Sequence, residues 1–253
     1  MTNALLRNAR LIDPEAGTEG LGWLRIEGGR IAETGLGPRA GGMDCGGACL
    51  APGIVDIGVK VGEPGERHKE SFRTAGRAAA AGGVTTMVTR PDTATPIDTP
   101  EVLEFVTRRA GQDADVKVRP MATLTKGRAG REMTEIGFLM DAGAIAFSDG
   151  DAVCADARVL SRCMTYARSL GALIIGHPQD PVLSSGTAVT SGKFASLKGL
   201  PAVSPMAERM GLERDLALVE MTGVRYHADQ ITTAAALPAL ARAKAAGLDV
   251  TAG

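Results

Sequence analysis

The sequence predicts an α/β protein in two parts, a small β unit over residues 1–50 and a parallel β/α barrel over residues 51–253. Three observations carry that expectation. From Ala51 onward, short apolar strand-like runs alternate with longer stretches of helical periodicity, the pattern of βα units laid on a parallel sheet. Several helical stretches stop at glycine, where a left-handed cap position tolerates a missing Cβ far better than any side chain. The composition is 44% hydrophobic but only 3% aromatic. Such a core is built from Ala, Leu, Val, Ile and Met, which suits helices packed closely on a parallel sheet.

The elements follow in order. Residues 4–12, 22–26 and 30–35 read as short strands joined by Gly-, Pro- and Asp-containing turns, a small antiparallel β unit. The barrel strands are expected at 53–57, 84–88, 116–121, 144–147, 172–175, 224–228 and 249–251. Helices are expected at 74–81, 100–110, 157–170, 208–222 and 234–246, with stops at Gly82-Gly83, Gly171, Gly223 and Gly247. Seven strands fall short of a closed eight-stranded barrel, so the expectation is a barrel that lacks its last strands or is completed by a partner. The Ser-, Thr- and Gly-rich stretch 186–199 is expected to be a long mobile loop.

A net charge of −1 gives no basic footprint for nucleic acid and no polybasic membrane patch. No window approaches the roughly 20 unbroken apolar residues of a membrane span. The opening Met1-Thr2-Asn3-Ala4-Leu5-Leu6-Arg7 lacks a signal peptide's order of charge, apolar run and cleavage site. A cytoplasmic protein handling small molecules or protein partners is expected. The four cysteines, Cys45, Cys49, Cys154 and Cys163, make no disulfide framework in a chain this large and read as reduced thiols.

The motifs Pro52-Gly53-Ile54-Val55-Asp56, Glu63-Pro64-Gly65, His68-Lys69-Glu70, Ala81-Gly82-Gly83-Val84-Thr85-Thr86, Phe147-Ser148-Asp149-Gly150, His177-Pro178-Gln179-Asp180-Pro181 and Ile231-Thr232-Thr233 run through nearly the whole chain. Together, in this order, the sequence resembles dihydroorotases of the type fused to or assembled with aspartate carbamoyltransferase. The resemblance implies a (β/α)8 TIM-like barrel of the amidohydrolase type preceded by a small β-sandwich. It also implies a zinc centre held by a first-strand His-x-His pair, a bridging aspartate and two later-strand histidines. Mapped by motif, Gly58 and Lys60 replace the pair, Asp149 keeps the bridging carboxylate, His177 keeps one later histidine, and Gln230 stands where the other belongs. Glycine offers no donor, and an ammonium binds a metal only after losing its proton. Two side chains fall short of the three or four ligands that zinc typically takes, so an apo protein is the expected state.

The family's substrate contacts are altered as well. Its first-loop arginine is replaced by Gly62, and an asparagine after the second-strand proline by Asp92, which would repel the substrate carboxylate. The catalytic aspartate of the family maps beyond Gly253.

Plainer roles exist for the survivors. Asp149 can cap a helix or turn its loop, His177 can be hydrogen-bonded structure, and Asp56, expected inside a buried strand, can anchor barrel packing. Glu66-Arg67-His68-Lys69-Glu70 reads as a solvated face. Lys60 is expected to stand in for the metal as an ion pair with Asp149.

The resulting expectation is a catalytically silent dihydroorotase homologue that is retained as a structural partner of aspartate carbamoyltransferase or self-associates. The alternative is an active hydrolase of a cyclic amide, using a single metal on Asp149 and His177 plus further ligands, with zinc as its cofactor. A small-molecule sensor is a third class with no positive feature in its favour.

Overall fold

A computed structural model describes residues 3–253, so Met1 and Thr2 of the signal-peptide reading lie outside the described residues. The chain divides into Met1–Ile54 and Val55–Gly253.

In the first unit, β1 (Ala4–Asp13), β2 (Thr18–Glu27) and β3 (Arg30–Leu36) form an antiparallel meander. Gly28 and Gly29, both at positive φ, make the two-residue turn between β2 and β3. Glycine is suited to such turns because both central residues must adopt left-handed backbone. The unit is mixed rather than purely antiparallel, because β4 (Met43–Asp44) and β5 (Cys49–Leu50) return to the free edge of β1 and pair with it in parallel. Asp44 fixes that return by accepting from Asn8 Nδ2 at 2.8 Å and pairing with Arg7 at 2.9 Å.

The second unit opens with β6 (Ile54–Val59), α1 (Phe72–Ala81), β7 (Val84–Thr89), α2 (Pro100–Asp113) and β8 (Lys117–Pro120), and its first three strands lie in the order β6-β7-β8. Then come α3 (Ile136–Asp141), α4 (Ala157–Leu170) and β9 (Leu173–Gly176). After α5 (Pro181–Ser184), β10 (Val189–Thr190), α6 (Lys193–Lys198) and β11 (Ala202–Val203), the chain forms α7 (Met206–Thr222), β12 (Arg225–Ala228), α8 (Leu237–Ala245) and β13 (Val250–Ala252). The strands β9, β12 and β13 form a second parallel sheet in the order β13-β12-β9.

The expected strand at 144–147 is reduced to a bridge at Phe147, which pairs in parallel with both Ala122 and Ile174 and thereby joins the two sheets into one arc. Its main chain still makes strand-like bonds, Phe147 N to Leu173 O at 2.9 Å and Ser148 N to Ala122 O at 3.0 Å.

Local sequence explains the helix ends. Ser71 and Thr74 form a reciprocal capping box on α1, and Asp156 accepts from the amides of Arg158 and Val159 at the start of α4. Gly171 and Gly223 close α4 and α7 in the left-handed region. Between the arc and the helices lies one apolar core that includes Phe72, Met87, Leu103, Phe147, Met164, Ile174 and Leu212.

Two expectations are corrected. Residues 186–199 are not a structureless loop. Val189–Thr190 pairs with Ala202–Val203, and Lys-Phe-Ala-Ser-Leu-Lys forms a helical turn that Gly199, at φ +61, terminates. Asp56 is not buried, because β6 has a strand on one side only and its residues 54–57 are exposed.

Candidate functional site

In a β/α barrel the carboxyl ends of the strands and the loops that follow them carry the chemistry. Here those ends hold Gly58 near the end of strand β6 and Lys60 just after it, Arg90 and Asp92 after β7, Thr125 in the loop beyond β8, Asp149 beyond the Phe147 bridge, His177 after β9, and Asp229 and Gln230 after β12.

Asp149 is buried, and both of its carboxylate oxygens are engaged. Oδ1 accepts from the backbone amides of Leu124 at 3.0 Å and Thr125 at 2.9 Å, while Oδ2 accepts from Thr125 Oγ1 at 2.5 Å. Its own carbonyl accepts from Arg128 Nε at 2.8 Å. Burial pushes the carboxyl above its ordinary range despite these donors. The side chain thus pins the loop after β8 to the loop after the Phe147 bridge.

Lys60 does not pair with Asp149, which corrects that expectation. Its side chain is 54% exposed, and its Nζ donates to Asp92 Oδ2 at 3.0 Å. The Asp149 oxygens are already taken by Leu124 and Thr125, while Asp92, almost wholly buried one strand over, lies within ion-pairing distance of Lys60. Asp92 Oδ1 also lies 3.3 Å from Nε of Arg90, a residue that sequence reasoning missed. Arg90 is buried, and its Nη1 lies 3.6 Å from Asp229 Oδ2. Neither Arg90 Nε nor Asp92 Oδ1 makes a well-directed hydrogen bond, so their attraction is charge against charge. A chain of charges Lys60–Asp92–Arg90–Asp229 therefore links the ends of β6, β7 and β12.

Gly58 faces this chain. A Cβ built on it would lie 3.6 Å from Asp229 Oδ1 and 4.0 Å from Arg90 Cδ. A Cβ at position 58 would thus touch the Arg90–Asp229 pair at ordinary van der Waals distance. Gly150 admits Asp92 from the opposite side, where a Cβ would come within 2.5 Å of Asp92 Cβ.

His177 is half-buried, and its Nδ1 is enclosed with no hydrogen-bond partner. The segment it begins lies close on α7, because Gly211 has no Cβ to strike Gln179 N, which would lie 2.4 Å away, and Asp180 N donates to Ala207 O at 2.9 Å. Gln230 is exposed and takes a positive φ of 58°. His177 and Gln230 both line a groove of about 600 Å³ with Thr190, Ser204 and Thr232. Glu208 on α7 shapes its floor, accepting from the amides and hydroxyls of Thr232 and Thr233 at 2.6–2.9 Å. Burial alone would raise the Glu208 carboxyl, but these donors outweigh it and hold it below its ordinary range. His227, on β12, shares a 2.8 Å hydrogen bond with Thr251 Oγ1, and burial lowers its pKa.

Gly62 is closed to any side chain. A Cβ there would lie 2.5 Å from Glu66 O and 2.9 Å from Glu70 O, because the loop 62–70 folds back through Glu66 N to Gly62 O at 2.6 Å. Among the described residues, no group of three or more His, Cys, Asp or Glu side chains is gathered in a way that could hold a metal ion. Arg90 and Asp229 carried a faint signal in the sequence, an arginine at the end of an apolar strand and an aspartate beside Gln230, but nothing in a linear reading paired them.

Residues 47–236 match the family model described as dihydro-orotase-like. The chain is 40% identical, over its full length, to a dihydroorotase-like protein of Pseudomonas putida, of which it covers 60%. It is 37% identical to a dihydroorotase of Solibacter usitatus, with 98% of this chain and 58% of that protein covered. The chain thus spans about 60% of the length of these curated relatives. Among solved structures, the L-hydantoinase (dihydropyrimidinase) of Arthrobacter aurescens superposes on all of this chain and 58% of its own with a TM-score of 0.82 at 21% identity, a likeness of fold.

Proposed function

Because this chain belongs to the dihydroorotase-like family, we propose that it is a non-catalytic member, retained as a structural partner of aspartate carbamoyltransferase in pyrimidine biosynthesis. The observation that carries the reading is the state of the donors. The one carboxylate at the family's bridging position spends its oxygens on Leu124 N, Thr125 N and Thr125 Oγ1. Positions 58, 60 and 230 offer glycine, a salt-bridged ammonium and an amide. A dinuclear zinc centre does not fit this set, since zinc is held by imidazole, thiolate or free carboxylate groups that converge on one point. The substrate side is altered in the same direction, with Gly62 sealed by backbone and Asp92 committed to two cations. The proposal of aspartate carbamoyltransferase as partner rests on the family resemblance, and cytoplasmic location goes with it.

A second reading keeps one specific observation in its favour. The enclosed, unpartnered Nδ1 of His177 is a donor without a task, as a metal ligand would be in the absence of its ion. On that reading the chain is a single-metal cyclic amidohydrolase that uses His177 and Asp149 together with donors outside the described residues.

Metal content by plasma emission after incubation with excess zinc and desalting separates the two, with Asp149→Ala as control. Background zinc in both proteins is expected; about one zinc per chain, lost in the control, would establish the single-metal reading instead. Light scattering on an equimolar mixture with the aspartate carbamoyltransferase of the same organism tests the partner. Co-elution is expected, and separate elution would remove that part of the proposal.

A further inference from the structure

We infer that Arg90 is an internal cation that has taken over the cross-linking role of the metal at the strand ends. The inference rests on the reading that no metal occupies this position, and it adds which residue does the work in its place.

Three observations converge on Arg90. It is a charged side chain only 8% exposed, which a folded protein tolerates only when opposite charge lies close. Its two acidic neighbours, Asp92 at 1% and Asp229 at 11% side-chain exposure, come from the ends of different strands, β7 and β12. The guanidinium therefore ties two parts of the arc that are not adjacent in either sheet, as a bridging metal does. It also borders Gly58 on the first strand, where a Cβ would come into ordinary contact 4.0 Å from Arg90 Cδ.

Lys60 completes the chain from the third strand. Its contribution is smaller, because it is half exposed and a solvated ammonium pairs weakly with its partner. Arg90 has a planar, permanently charged head whose five donors are spread over a rigid fork, so it can reach carboxylates on two sides, whereas lysine concentrates three donors on one nitrogen. Removing Arg90 would leave Asp229 with no cation within ion-pairing distance among the described residues, while Asp92 would keep Lys60. The cost of losing Arg90 should therefore fall mainly on Asp229.

The test is a double-mutant cycle by thermal unfolding on the full chain: wild type, Arg90→Met, Asp229→Asn and the double variant, each with and without excess zinc. Arg90→Met is expected to lower the melting temperature by roughly 5–10 °C, as breaking one side of a buried ion pair does. Asp229→Asn is expected to cost less, since Arg90 keeps Asp92. The double variant is expected to recover most of the loss, because the orphaned charge has gone. If Arg90→Met fails to fold, the double variant must still fold. Additive effects, a harmless Arg90→Met, or a double variant no better than Arg90→Met would each overturn the inference. The zinc arm reads the underlying reading separately: an unchanged wild-type melting temperature supports it, and a zinc-dependent rise overturns it whatever the cycle gives.

Discussion

Replacing Asp149 by alanine and by asparagine separates a structural carboxylate from a metal-binding one. Alanine leaves the amides of Leu124 and Thr125 without their acceptor in a buried setting. An orphaned buried donor costs about 1–3 kcal/mol. Two of them give about 2–6 kcal/mol, from which the relief of a desolvated charge subtracts, leaving a net loss of about 2–4 kcal/mol. In a chain of this size that lowers the melting temperature by roughly 5–15 °C. Asparagine keeps an oxygen for both amides, and its Nδ2 can donate to Thr125 Oγ1, which already receives Gly130 N at 2.9 Å. Burial disfavours the charge that asparagine removes, so the change in stability is expected to stay within about 1 kcal/mol. Urea unfolding followed by circular dichroism gives both numbers. If asparagine costs as much as alanine, the negative charge itself is what the site requires, and the account of Asp149 as a loop anchor is wrong.

Two further predictions concern the loops around the same strand ends. The Glu208 carboxyl is held below its ordinary range, so its stabilisation is present above the unfolded carboxyl pKa and is lost as pH falls through the depressed folded value. Glu208→Gln should lower stability at neutral pH and flatten the acid side of the stability profile; an unchanged slope between about pH 5 and 3 would show that Thr232 and Thr233 do not hold the charge. Placing at position 62 the arginine that the family resemblance implies, with Gly62→Arg, should not create an anion site, because even a Cβ collides with Glu66 O. Its urea midpoint is expected to drop by an amount equivalent to about 1–3 kcal/mol, with no binding of dihydroorotate by calorimetry.

The sequence exposed the framework of this molecule more readily than its centre. The helix 157–170 was readable to the residue because Gly171 stops it locally, and the structure shows Asp156 capping its other end. The strands at 84–88 and 224–228 were likewise visible as short strand-like runs that begin directly after Gly83 and Gly223. The segment 186–199 misled because Ser, Thr and Gly weaken local preference, while the pairing of Val189 with Ala202 is decided by a partner 13 residues away. Asp56 misled because a strand's burial depends on what covers its second side, which no alternation of residues records. At the candidate site, the substitutions at 58, 60, 62, 92 and 230 were legible one by one. Which cation met which anion was not, since Arg90 and Asp229 are brought together only by the curvature of the sheet.

Position 58 carries a further consequence. Its backbone sits at φ +99°, a region that residues with a side chain rarely adopt. A single exchange to histidine would therefore have to bend the main chain back before its imidazole could point anywhere useful, with Arg90 and Asp229 as its neighbours. On the proposed reading, in which a first-strand donor has been lost, position 58 would work as a ratchet: a peptide relaxed into a shape open to glycine would need its main chain and its side chain to change together before a donor could return. On that reading, single-residue changes would run easily in one direction through this site and poorly in the other.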